Sequence, residues 1–177
     1  MSSKITIRAM QQGDLSAVVA IQDSCYSEAL FESPDLVAMR LASHPNWCLV
    51  AQSDLADGSQ KVVAYLFSYP SIDGKVARLG STFAQYSAAD VLYLHDMAVR
   101  DEARGLGLAQ RLLEHAQAQA QNHGLKRISL VAVQGSVTYW QRHGFNVKAV
   151  NDKDALLALK SYTGQDAVYM QKHLPEL

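Results

Sequence analysis

The chain has 177 residues, 49% of them hydrophobic, with a formal net charge of -1 at pH 7. That length supports one domain with a sizeable core, and so small a charge gives no reason to expect nucleic acid or an anionic membrane as partner. No run of about 18 apolar residues marks a membrane span, and the opening MSSKITIRAM lacks a signal peptide's apolar core. Two cysteines, Cys25 and Cys48, are too few for a disulfide framework and fit a reducing cytoplasm. No metal is expected, because the histidines and cysteines are scattered without ligand-type spacing.

Lys4–Met10 (KITIRAM) alternates apolar and polar residues, the pattern of a half-buried strand. A helix follows from Gly13-Asp14, with Leu15, Val18, Val19 and Ile21 on its apolar side. Ser33-Pro34-Asp35 starts a second, carrying Leu36, Val37, Met39, Arg40 and Leu41. Trp47–Gln52 and Lys61–Tyr69 read as an antiparallel hairpin around a polar turn. From Pro70 to Asp90 no period is visible; a loop that long in a compact domain is often functional, plain mobile surface being the alternative.

Val91–Val99 is a strongly apolar, central strand. The next helix is predicted from about Gly105 to His123, with Leu106, Ala109, Leu113 and Ala116 on one stripe that Leu108 and Leu112 widen. Gly124 stands where its C-terminal cap belongs. Arg127–Val133 is a buried strand, Ser136–His143 a short helix closed by Gly144, and Phe145–Val150 and Asp166–Leu174 two further strands. The order β-α-α-β-β-β-α-β-α-β-β implies a single α/β domain over residues 1–177. Its sheet is mixed and mostly antiparallel, flanked by helices, with parallel pairing across the long helix.

Ala98–Leu113 (AVRDEARGLGLAQRLL) sets two of the ten glycines at a helix start, although glycine costs roughly 1 kcal/mol against alanine inside a helix. Glycines there leave backbone N–H groups bare, and with the helix dipole they form an anion site that Arg104 strengthens. A capping glycine plus a second for close helix–strand packing is the purely structural alternative. No Gly-Lys-Ser/Thr follows, and G-x-G-x-x-G is absent.

Here the sequence resembles the GNAT superfamily of N-acetyltransferases. Arg104-Gly105-Leu106-Gly107-Leu108-Ala109 fits that superfamily's Arg/Gln-x-x-Gly-x-Gly/Ala signature, preceded by the strand LHDMAV and followed by the helix AQRLLEHA. Tyr139–Phe145 (YWQRHGF) is similar to its second landmark, a short helix ending in Gly-Phe. The resemblance spans Lys4–Leu174 and implies the GNAT-like acyl-CoA N-acyltransferase fold, with acetyl-coenzyme A (acetyl-CoA) as cosubstrate. It implies that the amides of Arg104, Gly105, Leu106, Gly107, Leu108 and Ala109 hold the pyrophosphate. The backbone of Met97, Ala98 and Val99 would pair with the pantetheine arm.

Acetyl transfer to an amine needs a neutral nucleophile, and an alkylamine with a pKa near 10.4 is neutral in only about one molecule in a thousand at pH 7. A positioned base is therefore useful. Alternation along the strand groups Tyr93, His95, Met97 and Val99 on one face, with Leu94, Asp96 and Ala98 on the other. His95 is the candidate base, histidine being the side chain that titrates near neutrality. A core histidine tied to a backbone carbonyl is its structural alternative. YLHDMAV also resembles the arylalkylamine N-acetyltransferase branch, which carries two base-related histidines at the positions of Tyr93 and His95. Tyr93 could order a water chain to His95 or simply fill the core, and Asp96 is expected to make a structural hydrogen bond or ion pair.

Where the superfamily often places a tyrosine that protonates the leaving thiolate, this sequence has Trp140, expected to pack beside the thioester. Three readings stay open: Tyr139 serves, a water serves, or the thiolate leaves unaided. An asparagine frequent in the superfamily is replaced by Val133. Tyr26, Leu30, Phe31 and Glu32 are the substrate-facing candidates, with Phe83 and Tyr86 on a possible opposite wall; packing is the alternative for each aromatic. The reading is an N-acetyltransferase acting by direct attack in a ternary complex on the primary amine of a small molecule. Alternatives are a peptide or protein amine as acceptor, and a non-catalytic acyl-CoA-binding module. Monomer and homodimer are both compatible with it.

Overall fold

The computed structural model describes residues 3–177. Its seven-stranded sheet has the order β1-β2-β3-β4-β5-β7-β6. The strands are β1 (Ile5–Ala9), β2 (Leu49–Asp54), β3 (Gln60–Ser71), β4 (Val91–Val99), β5 (Arg127–Ala132), β6 (Asn146–Val147) and β7 (Val168–His173). The helices are α1 (Leu15–Cys25), α2 (Pro34–Ser43), α3 (Leu108–Asn122), α4 (Val137–Arg142) and α5 (Lys153–Lys160). The pairs β1–β2, β2–β3, β5–β7 and β6–β7 are antiparallel, while β4–β5 is parallel from Val91↔Arg127 to Leu94↔Leu130. The mixed, mostly antiparallel α/β sheet expected from the sequence is thus what forms.

The chain divides into two compact units, one running up to Ser68 together with Asp96–Ala116 and the other comprising Tyr69–His95 and Gln117–Leu177. In the first, Ser33 caps α2 by accepting the Leu36 N–H at 3.3 Å, and Pro34 fills the first helical position, where its missing N–H costs nothing. Val18 and Ile21 of α1 and Val37 and Leu41 of α2 are buried. Arg40 shares that buried state and grips both carboxylate oxygens of Glu32 at 2.6 Å. Gln22 donates to the Glu32 carbonyl at 2.9 Å. Leu30 and Glu32 are therefore interior groups, which corrects the reading of them as substrate-facing: a buried arginine recruits the acid that a loop sequence suggested was exposed.

In the second unit Asp73 gathers Arg127 and Lys148, each at 2.8 Å, and Gln171 at 2.6 Å, while Arg127 also reaches Asp90 at 2.6 Å. Burial by itself would raise the Asp73 carboxyl, but the bonds from Lys148 and Gln171 and the Arg127 charge outweigh it and hold the group below the usual carboxylate range. A depressed folded-state pKa contributes stability that is complete above the unfolded value and lost as pH falls through the folded one. Asp73→Asn should accordingly flatten the decline of Tm as pH drops below about 4; an acid limb identical to the wild type would contradict it.

Most element ends shift by one or two residues from the sequence expectation, and three departures are larger. Helix α3 begins at Leu108, not Gly105, and β6 keeps only two of the six residues Phe145–Val150. Helix α5 was not anticipated; Asp152 caps it by accepting the Ala155 N–H at 3.0 Å.

Candidate active site

In the first unit, β4 ends in a short turn over Asp101–Ala103 that delivers the chain to Gly105. Gly105 has φ +82° and Gly107 φ +72°, a left-handed conformation that L side chains rarely adopt. The Gly107 carbonyl accepts the Arg111 N–H at 3.1 Å, so Gly107 caps α3 from outside. The glycines are therefore loop residues in special conformations, which answers why poor helix formers precede this helix. A Cβ built on either would meet nothing within 4 Å, so both face open space. That open turn beside a helix N-terminus fits a diphosphate. Arg104 is exposed and lies 3.0 Å from Asp101, while Leu106 is exposed and Leu108 buried.

Gly107→Val should strain this turn by about 1–2 kcal/mol and, at about 1.4 kcal/mol per decade, weaken acetyl-CoA binding roughly tenfold. Isothermal titration reads this directly, and an unaltered dissociation constant would count against the loop.

The end of α1 reaches the backbone of β4. Tyr26 Oη donates to the Met97 carbonyl at 2.9 Å, and Cys25 Sγ to the Val99 carbonyl at 3.3 Å. Two carbonyls read as open backbone thus already accept a side-chain donor, each keeping a second lone pair. Asp96 accepts the Tyr65 phenol at 2.7 Å, a structural hydrogen bond of the kind expected for it. Burial, then the Asp96 charge, raises both the Tyr26 and Tyr65 phenols well above their usual pKa, so both stay protonated donors. With its hydroxyl pinned, Tyr26 presents its ring to a cleft of about 490 Å³ that Asp23, Glu28 and the half-exposed Phe31 also line.

In the second unit, His95 is half-buried. Its ring meets the edge of Phe83 at 5.3 Å and lies 6.4 Å from Tyr93, which puts Tyr93 and His95 on a common face of β4. Phe83 stacks on Tyr69 at 4.3 Å, and Tyr69 approaches Tyr93 at 5.5 Å. Tyr93 is buried, and burial followed by the neighbouring Tyr162 raises its phenol well above the usual value. It therefore keeps its proton and cannot act as a base at neutral pH. Phe83 was a wall candidate from the sequence, but its stacking partner Tyr69 was not, since the pairing arises where the aperiodic 72–90 segment folds back on β3. On α4, Trp140 packs edge-on against Phe145 at 5.5 Å and against Tyr139 at 5.0 Å. Tyr139 is partly exposed beside His143 at 4.8 Å, and burial raises its phenol, so it carries a proton at neutral pH.

A mixed sheet with one parallel β4–β5 pair, and a left-handed glycine turn delivering β4 to α3, defines the acyltransferase class of α/β fold. The chain belongs to the acetyltransferase (GNAT) family, whose sequence profile matches residues 15–145. No curated protein matches the chain significantly in sequence. Among solved structures it is similar to Ard1 from Thermoplasma volcanium, at 15% identity and TM-score 0.70, covering 97% of this chain and 99% of that one. It is similar also to the NatC complex bound to Gag peptide and CoA, at 15% identity and TM-score 0.71, over 97% and 99% of the two chains. A third is N-acetylglutamate synthase from Neisseria gonorrhoeae, complexed with coenzyme A and N-acetyl-glutamate. It matches at 14% identity and TM-score 0.66, over 99% of this chain and 36% of that one. At such identities the likeness is one of fold. Among the described residues no helix is long and apolar enough to cross a membrane.

Proposed function

We propose that the protein is an acetyl-CoA-dependent N-acetyltransferase for the primary amine of a small molecule, acting by direct attack in a ternary complex. The observation that carries this reading is the pair of left-handed glycines facing open space before α3. Arg104–Ala109 hold the pyrophosphate there, and Met97–Val99 offer backbone groups to the pantetheine arm. Acetyl-CoA supplies the activated acyl group.

The amine reaches the site as an ammonium ion, for which Asp23 and Glu28 around Tyr26 and Phe31 make a favourable wall. His95 takes the proton that the nitrogen must lose. The nitrogen lone pair forms the new C–N bond, the C–S bond breaks, and the thiolate takes a proton from Tyr139 or water. The thiolate also leaves unaided at modest cost, since a thiol pKa lies near 8.5. Trp140, which cannot serve as an acid, packs beside the thioester.

The strand's YLHDMAV pattern supports an acceptor like that of the arylalkylamine branch it resembles. A peptide amine is the second reading, suggested by the peptide-bound complex that shares the fold. Steady-state thiol release across a panel of amines and peptides tests both. Release with small amines is expected; acetyl-CoA binding with no release above hydrolysis for any acceptor would leave a binding module instead.

A further inference from the structure

The second unit holds a cleft of about 290 Å³ between the 76–86 segment and α5, lined by Tyr69, Arg78, Thr82, Tyr86, Asp154 and Leu157. Its two charges have opposite sign, both side chains are exposed, and no described residue pairs with either. Elsewhere in this unit opposite charges close on one another, as Arg127 does on Asp73 at 2.8 Å and on Asp90 at 2.6 Å. An arginine fork and a carboxylate that share a cleft without joining present complementary halves to one ligand carrying both signs. Between them the wall is aromatic and aliphatic, which suits an alkyl arm. Tyr69 is common to this cleft and to the rings around His95, because it stacks on Phe83 at 4.3 Å and Phe83 meets His95 at 5.3 Å. The cleft at Arg78 and Asp154 thus adjoins, through Tyr69, the buried ring stack that packs against the imidazole.

We infer that the Arg78–Asp154 cleft binds the α-carboxylate and α-ammonium of a diamino acid of the lysine or ornithine type, whose terminal amine is the acetyl acceptor. The assignment rests on the proposed acetyl transfer for the fate of the terminal amine, but the charge-paired cleft stands on its own geometry. Loss of a charge-assisted contact to the carboxylate should weaken recognition by about ten- to a hundredfold.

The test compares lysine with 1,5-diaminopentane, which has the same arm and terminal amine but no carboxylate. Wild type should show the higher kcat/KM with lysine. Arg78→Gln should shrink that lysine-over-diamine ratio by about ten- to a hundredfold, with Arg78→Lys recovering part of it, whereas Asp154→Asn should lower kcat/KM for both ligands, since both carry the ammonium it meets, and leave the ratio nearly unchanged. Lysine binding without acetyl-CoA, followed by calorimetry, should be lost in Arg78→Gln. Thiol release with amines but no lysine preference, or a ratio unmoved by Arg78→Gln, overturns the subsite and leaves acetyl transfer standing. Lysine binding that depends on Arg78, with no thiol release from any acceptor, keeps the zwitterion site and removes the transfer. Absence of both overturns the two together.

Discussion

His95→Gln lowers kcat/KM for the best acceptor by about 10²–10⁴-fold, the usual contribution of a positioned general base. Glutamine keeps a similar shape against Phe83 and Tyr93, so the change removes a proton acceptor and leaves packing nearly intact. The deficit should be greatest near neutral pH, where an alkylamine is almost wholly protonated. It should shrink as pH climbs towards about 10.4 and the amine supplies its own free base. The acetyl-CoA dissociation constant should stay nearly unchanged, because the diphosphate loop lies elsewhere in the chain, at Arg104–Ala109. A pH–rate series paired with cofactor titration checks both halves. Unchanged turnover with a tenfold weaker cofactor would remove His95 from the chemistry.

Arg40→Ala should cost about 3–5 kcal/mol of unfolding free energy, read from urea denaturation. The side chain is almost fully buried, and so is its partner Glu32. Removing the cation takes away the bidentate partner of a buried carboxylate, and a buried charge that loses its partner costs far more than the net worth of the pair. Joint replacement, Glu32→Leu with Arg40→Leu, should recover most of the loss, because it strands no charge. A loss below about 1 kcal/mol for Arg40→Ala would mean the pair is solvated in solution.

The elements legible in the sequence were those whose burial is periodic or continuous. Val91–Val99 was read to the residue because a strongly apolar run, interrupted only by His95 and Asp96 and bounded by Asp90 and Arg100, leaves little freedom. Ser33-Pro34 fixed the start of α2 because cap chemistry is local. Helix α3 was placed three residues early, since the stripe of Leu106 and Ala109 extends past the hydrogen-bonded start and a left-handed φ leaves no trace in periodicity. Eight-residue α5 was missed because it is too short for a stripe to stand out, although Asp152 three residues before Ala155 was a usable cap signal.

The candidate site divides the same way. The glycine turn was visible as a motif because every residue of it is contiguous. The hydrogen bonds that hold β4 were not: Tyr65 lies 31 residues from Asp96 and Tyr26 71 from Met97, separations no local pattern encodes. Glu32 misled for the same reason, its arginine being eight positions away on the apolar side of a helix. Arg78 and Asp154 meet in one cleft only because an aperiodic segment and the unanticipated helix both border it.

Determining the structure with acetyl-CoA bound examines the diphosphate loop most directly. The pyrophosphate oxygens should lie within hydrogen-bond distance of the backbone N–H groups between Gly105 and Ala109. A ligand seated away from that turn, or one whose phosphates touch only side chains, would contradict the assignment of the two left-handed glycines and the acetyl transfer built on them.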